Sequence, residues 1–354
     1  MSVTKRSFGS TSKGEASLYI LTAGACEATV TDFGATLVSF RVADAKGQET
    51  DIVLGYDDAA GYEAGGDSFG ATVGRNANRC AGAAFSINGK EYKMTANENG
   101  NNLHSGPDLY GKRLWKTEAV NEEKNSVTFG LFSPDTDQGF PGNLEVTVTY
   151  TLSEDGSLAI DYSGKSDQDT VCNLTNHVYF NLNGEGNGDI CSQILQISAD
   201  QITPINDQGI PFGTYLDVKG TAYDFNMPKS IGADIDSDDS QIQTAHGYDQ
   251  NYVVAANKGE VKKVAESWSE DNGVTLEVFT DLPGVQFYSG NFIQKQTGRG
   301  GSAYAPRTGF ALETQFAPNA LNTESFARPF LKAGENYVSR TVYKLSISEA
   351  HKKN

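Results

Sequence analysis

Hydrophobic and polar residues alternate along much of this chain with the period of a β-strand. In Glu145-Val146-Thr147-Val148-Thr149-Tyr150-Thr151-Leu152, branched and aromatic residues take every second place, as in a strand with one buried face. Asp155-Gly156 follows, and Ser157-Leu158-Ala159-Ile160-Asp161-Tyr162 resumes the pattern, which predicts a hairpin. Two more are predicted where Phe85-Ser86-Ile87 and Glu91-Tyr92-Lys93-Met94 flank Asn88-Gly89, and where residues 274–279 follow Asn272-Gly273. Asn-Gly and Asp-Gly tolerate the positive φ that a tight hairpin demands. Helical periodicity is nowhere sustained; residues 57–62 predict one short helical turn and residues 234–243 a surface loop. The expected fold is all-β, a large antiparallel β-sandwich. With no low-complexity linker and no short repeat, one domain over residues 1–354 is expected.

Charge narrows the partners. A formal net charge of -17 and a pI near 4.6 argue against nucleic acid and anionic membrane surfaces, and favour a neutral or cationic small molecule. Cys26, Cys80, Cys172 and Cys191 lack metal or redox spacing and are too sparse for a disulfide scaffold, so reduced thiols are expected. Neither the first twenty residues nor any later run carries an apolar stretch of leader or membrane-span type, from which a cytoplasmic location is expected.

Three motifs fail on their own terms. Gly184-Glu185-Gly186-Asn187-Gly188-Asp189 begins like a dinucleotide loop but ends on Asp189, outside any βαβ pattern. Asp234-Ile235-Asp236-Ser237-Asp238 begins like a calcium loop, yet Asp239 holds the place of the turn glycine and Ala245 that of the bidentate glutamate. Asn173-Leu174-Thr175 fits the glycosylation pattern, but its polar groups are better explained as site or strand groups.

The remaining polar clusters are harder to explain by folding alone. His177, in Asn173-Leu174-Thr175-Asn176-His177-Val178-Tyr179-Phe180, sits among amides and aromatic rings, where an oriented imidazole can give and take protons near neutral pH. Gly74-Arg75-Asn76-Ala77-Asn78-Arg79 offers a fork of donors for hydroxyls or carboxylates. His104 lies in a loop of amides and glycines. Gly247-Tyr248-Asp249-Gln250-Asn251-Tyr252 brackets a carboxylate between rings, and Pro283-Gly284-Val285-Gln286-Phe287-Tyr288 does the same for an amide; rings stacked on a pyranose would explain both. Glu313 stands among apolar neighbours in Phe310-Ala311-Leu312-Glu313-Thr314-Gln315, where burial would raise its pKa and suit it to act as a general base. Taken singly, Asp249 and Gln286 could equally cap turns, and Glu313 could face solvent. His246 and His351 are assigned no role.

Together the clusters resemble the aldose 1-epimerases, also called galactose mutarotases. Phe33-Gly34-Ala35-Thr36, Asp51-Ile52-Val53-Leu54-Gly55-Tyr56, Gly74 to Arg79, Leu103-His104, Asn176-His177, Gly247-Tyr248-Asp249, Pro283 to Phe287 and Leu312-Glu313-Thr314-Gln315 follow the family's order across nearly the whole chain. The resemblance implies one β-sandwich, a site without cofactor or metal, and interconversion of the α and β anomers of free aldohexoses such as D-galactose and D-glucose. It further implies that Glu313 takes the proton of the C1 hydroxyl, that His177 protonates the ring oxygen, and that His104 supports the ring-oxygen side. Asn78, Arg79, Asp249 and Gln286 would bind the sugar's hydroxyls, and a monomer or weak homodimer is expected. Two positions depart from the family pattern: Ser105-Gly106, where it commonly has two glycines, and Gln250, where it often has histidine. Both bear on sugar preference. Three alternatives stand beside this reading: a glycoside hydrolase using Asp249 and Glu313 as paired carboxylates, a hexose-6-phosphate epimerase whose phosphate would rest on Arg75 and Arg79, and a sugar-binding protein without catalysis.

Overall fold

All three expected hairpins form. Strand Leu144–Leu152 pairs antiparallel with Ser157–Ser166, in register from Leu144 opposite Ser166 to Leu152 opposite Leu158. Ala84–Ile87 pairs with Lys90–Lys93 through Asn88 and Gly89, both at positive φ (52° and 78°), the geometry whose twist matches that of the flanking strands. Lys262–Trp268 pairs with Val274–Thr280. The computed structural model describes residues 1–353 apart from positions 45 and 257.

These hairpins belong to a nine-stranded antiparallel sheet. Its order is Lys116–Asn121, Ser126–Ser133, Leu144–Leu152, Ser157–Ser166, Asn336–Ile347, Val274–Thr280, Lys262–Trp268, Ile194–Ile197 and Lys229–Ser230. Strict alternation in Leu144–Leu152 and Asn336–Ile347 buries one face of each strand. Packed on that face are two five-stranded sheets. One runs in chain order from Ser2–Thr11 through Gly14–Ala23, Cys26–Thr31 and Thr36–Ala43 to Glu49–Asp51. The other, which carries the site, is ordered Leu216–Asp217, Gln201–Thr203, Asp249–Val253, Gly284–Tyr288, Ala311–Gln315. One apolar cluster joins all three: Leu21, Val30 and Phe40 from the first, Val148, Ile160 and Leu345 from the nine-stranded sheet, and Val285, Phe287 and Leu312 from the site sheet. Tyrosine hydroxyls cross the gap to find acceptors, Tyr150 on the carbonyl of Ala35 (2.7 Å) and Tyr343 on that of Leu312 (3.2 Å).

Short helices bear out one expectation and correct another. Asp58 caps Ala59–Ala64 by accepting the Gly61 amide at 2.9 Å, close to the turn read from residues 57–62. Within the expected loop 234–243, by contrast, a helix begins at Ser240 and runs to Ala245. Asp239 caps its Gln241 and Ile242 amides, and Ile242 and Ala245 are buried. Six residues are too few to show a helical period. The acidic run before it is occupied, with Asp234 on Lys229 (2.7 Å) and Asp236 on Arg307 (2.7 Å). Asn173 is buried, donating to Asn76 and accepting the Phe316 amide. All four cysteines are free, and burial holds Cys26 up at about 11 and Cys80 at about 12. Among the described residues no helix is long and apolar enough to cross a membrane.

Candidate active site

Strand register decides which side chains can meet. On the site sheet Asn251 lies opposite Gln286 and Gln286 opposite Glu313, while Asp249 lies opposite Tyr288. Directly opposed residues share a face, and so do residues two apart along one strand. Asp249, Asn251, Gln286, Tyr288, Glu313 and Gln315 therefore form one polar face. Tyr248, Tyr252, Val285, Phe287 and Leu312 lie on the other, in the apolar core. This corrects the expectation that Tyr248, Tyr252 and Phe287 stack on a sugar. The rings that do reach the cavity are Tyr179, Tyr288 and Phe292.

That cavity, of about 430 Å³, is also lined by Asn78, Arg79, His104, His177, Asp249 and Glu313, six of the seven expected site residues. Gln286, the seventh, stands behind it, giving its amide to Asp249 at 2.8 Å and accepting one from Gln315 at 3.1 Å. The amide thus aims the carboxylate. Sequence reasoning missed Asp67, Glu98, Asp207 and Phe292 in the lining, because each comes from a loop with no local signal beyond composition.

Glu313 and His177 face each other. The carboxylate is 2% exposed, and its Oε1 lies 3.7 Å from Nε2 of His177, itself 7% exposed. Neither Glu313 Oε2 nor His177 Nδ1 has a partner among the described residues, an unusual state for buried polar atoms and one that a ligand would relieve. Burial pushes Glu313 well above the usual carboxylate range, with the charge of Asp249 adding to the rise and Arg79 opposing it. Burial also lowers His177, to about 4. The ring of His177 stacks on Tyr179 (centroids 4.9 Å, planes 25° apart), which fixes its tilt.

His104 is held by Asn78 at both backbone ends: its own amide donates to the Asn78 carbonyl (3.0 Å), and its Nδ1 accepts the Asn78 amide (3.1 Å). With Nδ1 an acceptor, the neutral ring carries its proton on Nε2. Burial, then the neighbouring His177 and Arg79, press its pKa well below the ordinary histidine value. His104, His177 and Glu313 offer ligand atoms within 4.8 Å of one another, the one group in the cavity that could hold a metal ion among the described residues.

Arg79 is shared between acids. Glu98 takes it bidentately (2.6 and 2.9 Å), and Asp249 lies 3.8 Å from Nη1. Gly209, at φ +73°, lies against the guanidinium, so that a Cβ there would come within 2.9 Å of Arg79. Arg75, expected beside it as a second donor, is elsewhere. It is 1% exposed and donates to the Ser133 and Thr170 hydroxyls and to the carbonyls of Ser133, Pro134, Pro141 and Gly142. The two departures noted in the sequence are structural as well. Ser105 bonds both the amide (2.9 Å) and the carbonyl (3.0 Å) of Asn76, and Gln250 accepts the Asp249 amide (2.9 Å) from the core side. Neither lines the cavity.

Known proteins resemble this chain along nearly its whole length. The aldose 1-epimerase family model matches residues 17–344. A galactose mutarotase from Rattus norvegicus is 38% identical over 351 residues, 98% of this chain and 100% of its own length. An aldose 1-epimerase from Escherichia coli K12 is 40% identical over 318 residues, 89% of this chain and 90% of that one. Among solved structures, an aldose epimerase homologue from C. elegans superposes with a TM-score of 0.84 at 29% identity, covering 93% of this chain and 98% of that one.

Proposed function

The chain belongs to the aldose 1-epimerase family, and from that premise we propose how its residues carry out the reaction. It is an isomerase that interconverts the anomers of aldoses. Glu313 takes the proton from O1 as the C1–O1 bond becomes a carbonyl. The C1–O5 bond breaks and O5 takes a proton from His177. The open aldehyde turns about C1–C2, O5 attacks the other face, and both protons return. Opening and closing a hemiacetal needs one group to accept and one to donate, and both act best when held at the reacting atoms. The observation that carries this reading is the buried, unpartnered oxygen of Glu313 facing His177 across the cavity. His104 steadies the ring-oxygen side, Asn78, Arg79 and Asp249 bind hydroxyls, and Gln286 orients Asp249. Arg75 lies outside the cavity, which removes half of the phosphate pocket that a hexose-6-phosphate epimerase would need.

Polarimetry on freshly dissolved α-D-galactose tests the proposal. Catalytic amounts of the protein should speed the approach to the same final rotation; no acceleration would end the reading. The remaining features are part of the same proposal. The chain works as one domain, supported by a core that draws on residues from Tyr19 to Leu345. It acts in the cytoplasm as a monomer or weak homodimer on a free monosaccharide, with neither nucleic acid nor membrane as partner, in keeping with its net charge of -17.

The pair's titration makes a second test. Burial disfavours both charged forms, so between about 4 and the raised value of Glu313 the pair holds one proton, on the carboxyl. Catalysis uses the same proton count with the proton on His177, so the working arrangement is an isomer of the resting one and is not titrated away in that window. The profile of kcat/KM against pH should be flat there. It should fall below about 4, where both groups are protonated and no base is left, and above the Glu313 value, where no acid is left. A single fall near the ordinary histidine value would show that the pair does not share its proton.

Gly209→Ala should raise KM several-fold with little change in kcat. The new methyl would displace the Arg79 guanidinium, and the left-handed backbone would add roughly 1–2 kcal/mol of strain. An unchanged KM would take Arg79 out of ground-state binding.

A further inference from the structure

The cavity's charge has a bearing on which aldoses enter it. Five carboxyl groups line it; Glu313 holds a proton in the resting pair, which leaves Asp67, Glu98, Asp207 and Asp249 against one permanent cation in the lining, Arg79. That cation is committed, bidentate on Glu98 and 3.8 Å from Asp249. Both histidines are held neutral by burial and bring no positive charge at neutral pH. Asp67 accepts from the uncharged amide of Gln296, and the only cation acting on it, Lys112, lies outside the lining with its ammonium on the carbonyls of Tyr62, Glu63 and Gly65. Asp207, exposed in the lining, has no hydrogen bond or ion pair among the described residues. The unpartnered Glu313 Oε2, on a residue 2% exposed, marks this acidic cavity as a ligand site and not a solvated surface.

We propose that this cavity selects aldoses by charge, taking amino sugars in their ammonium form as substrates and excluding uronic acids and sugar phosphates. The proposal rests on the anomer-exchange reading above and names its substrate class. An ammonium group entering the cavity meets more carboxylates than its lining has cations. A carboxylate or phosphate meets the same field with no free guanidinium or ammonium to receive it. Clefts lined by one sign of charge concentrate ligands of the other, and salt screens the effect.

Two-dimensional NMR exchange spectroscopy reads anomer exchange directly on each sugar. The probes are D-galactose, D-galactosamine, 6-amino-6-deoxy-D-galactose and D-galacturonate, compared below the amines' own pKa at about 0.01 M and about 1 M salt, where the screening length is about 30 Å and about 3 Å. At low salt kcat/KM for at least one amino sugar should equal or exceed that for galactose, and galacturonate should fall about tenfold or more below it. High salt should narrow the gap from both sides. Asp207→Lys should narrow it at low salt as well. If neither amino sugar exchanges, if galacturonate matches galactose, or if the ranking ignores salt, selection by charge is overturned. Loss of exchange on galactose itself would instead overturn the underlying reaction.

Discussion

Glu313→Gln is expected to slow anomer exchange by about a thousandfold while leaving the fold intact, because general acid–base groups typically contribute about 10²- to 10⁴-fold. The amide fills the same space on Ala311–Gln315 but cannot accept the O1 proton. Its effect should fall on kcat and kcat/KM alike, the mark of a contact made in the transition state. The same variant should be more stable than the parent at alkaline pH. Glu313 is raised in the fold relative to its ordinary value of 4.5, so its contribution to stability is complete below that value and is lost as pH rises through the raised one. Glutamine has no such loss. The gain in Tm should be clear at pH 8 and vanish towards pH 4.5. A variant with near-parental turnover would remove Glu313 from the mechanism, and a Tm difference independent of pH would mean that the carboxyl is not held against ionisation.

Arg75→Met should cost about 3–5 kcal/mol of stability, the range for breaking a buried charged network by removing one member. The carbonyls of Ser133, Pro141 and Gly142, all on buried residues, lose the guanidinium as a donor at once, while that of Pro134 keeps the Asp137 amide. Lysine is no substitute, since three donors on one nitrogen cannot reach what the planar guanidinium spans. Thermal denaturation should show a fall of about 4–7 °C for a chain of 354 residues. Turnover of the folded variant at low temperature should stay within about threefold of the parent. Strong loss of turnover with an unchanged Tm would return Arg75 to the sugar.

How far the sequence discloses the fold follows from physical locality. Alternation over eight residues and Asn-Gly turns are local, so the hairpins at residues 88–89, 155–156 and 272–273 were legible. The motifs around His177, Asp249 and Glu313 were legible through their resemblance to a family. Facing was harder. That Tyr248 and Tyr252 point to the core while Asp249 points to the cavity depends on which neighbour the strand pairs with, and the nearest pairing is with residues 284–288. Arg75 and Arg79 look alike in a run of six residues. What separates them is where each guanidinium finds acceptors, carbonyls near residues 133–142 for one and Glu98 for the other. Asp67, Glu98 and Asp207 became neighbours only through folding.

Opposed pairing on the site sheet also bears on the quality of any preparation of this protein. A slip of one residue by strand Gly284–Tyr288 would turn Gln286 and Tyr288 into the apolar core and bring Val285 and Phe287 out to the cavity. Such a chain would lack both its aiming amide and its packing, and would not persist as a soluble, half-active species. Molecules that survive purification should therefore be uniform, so that counting sites with a tight-binding ligand gives one working centre per chain and specific activity does not vary with the route of refolding.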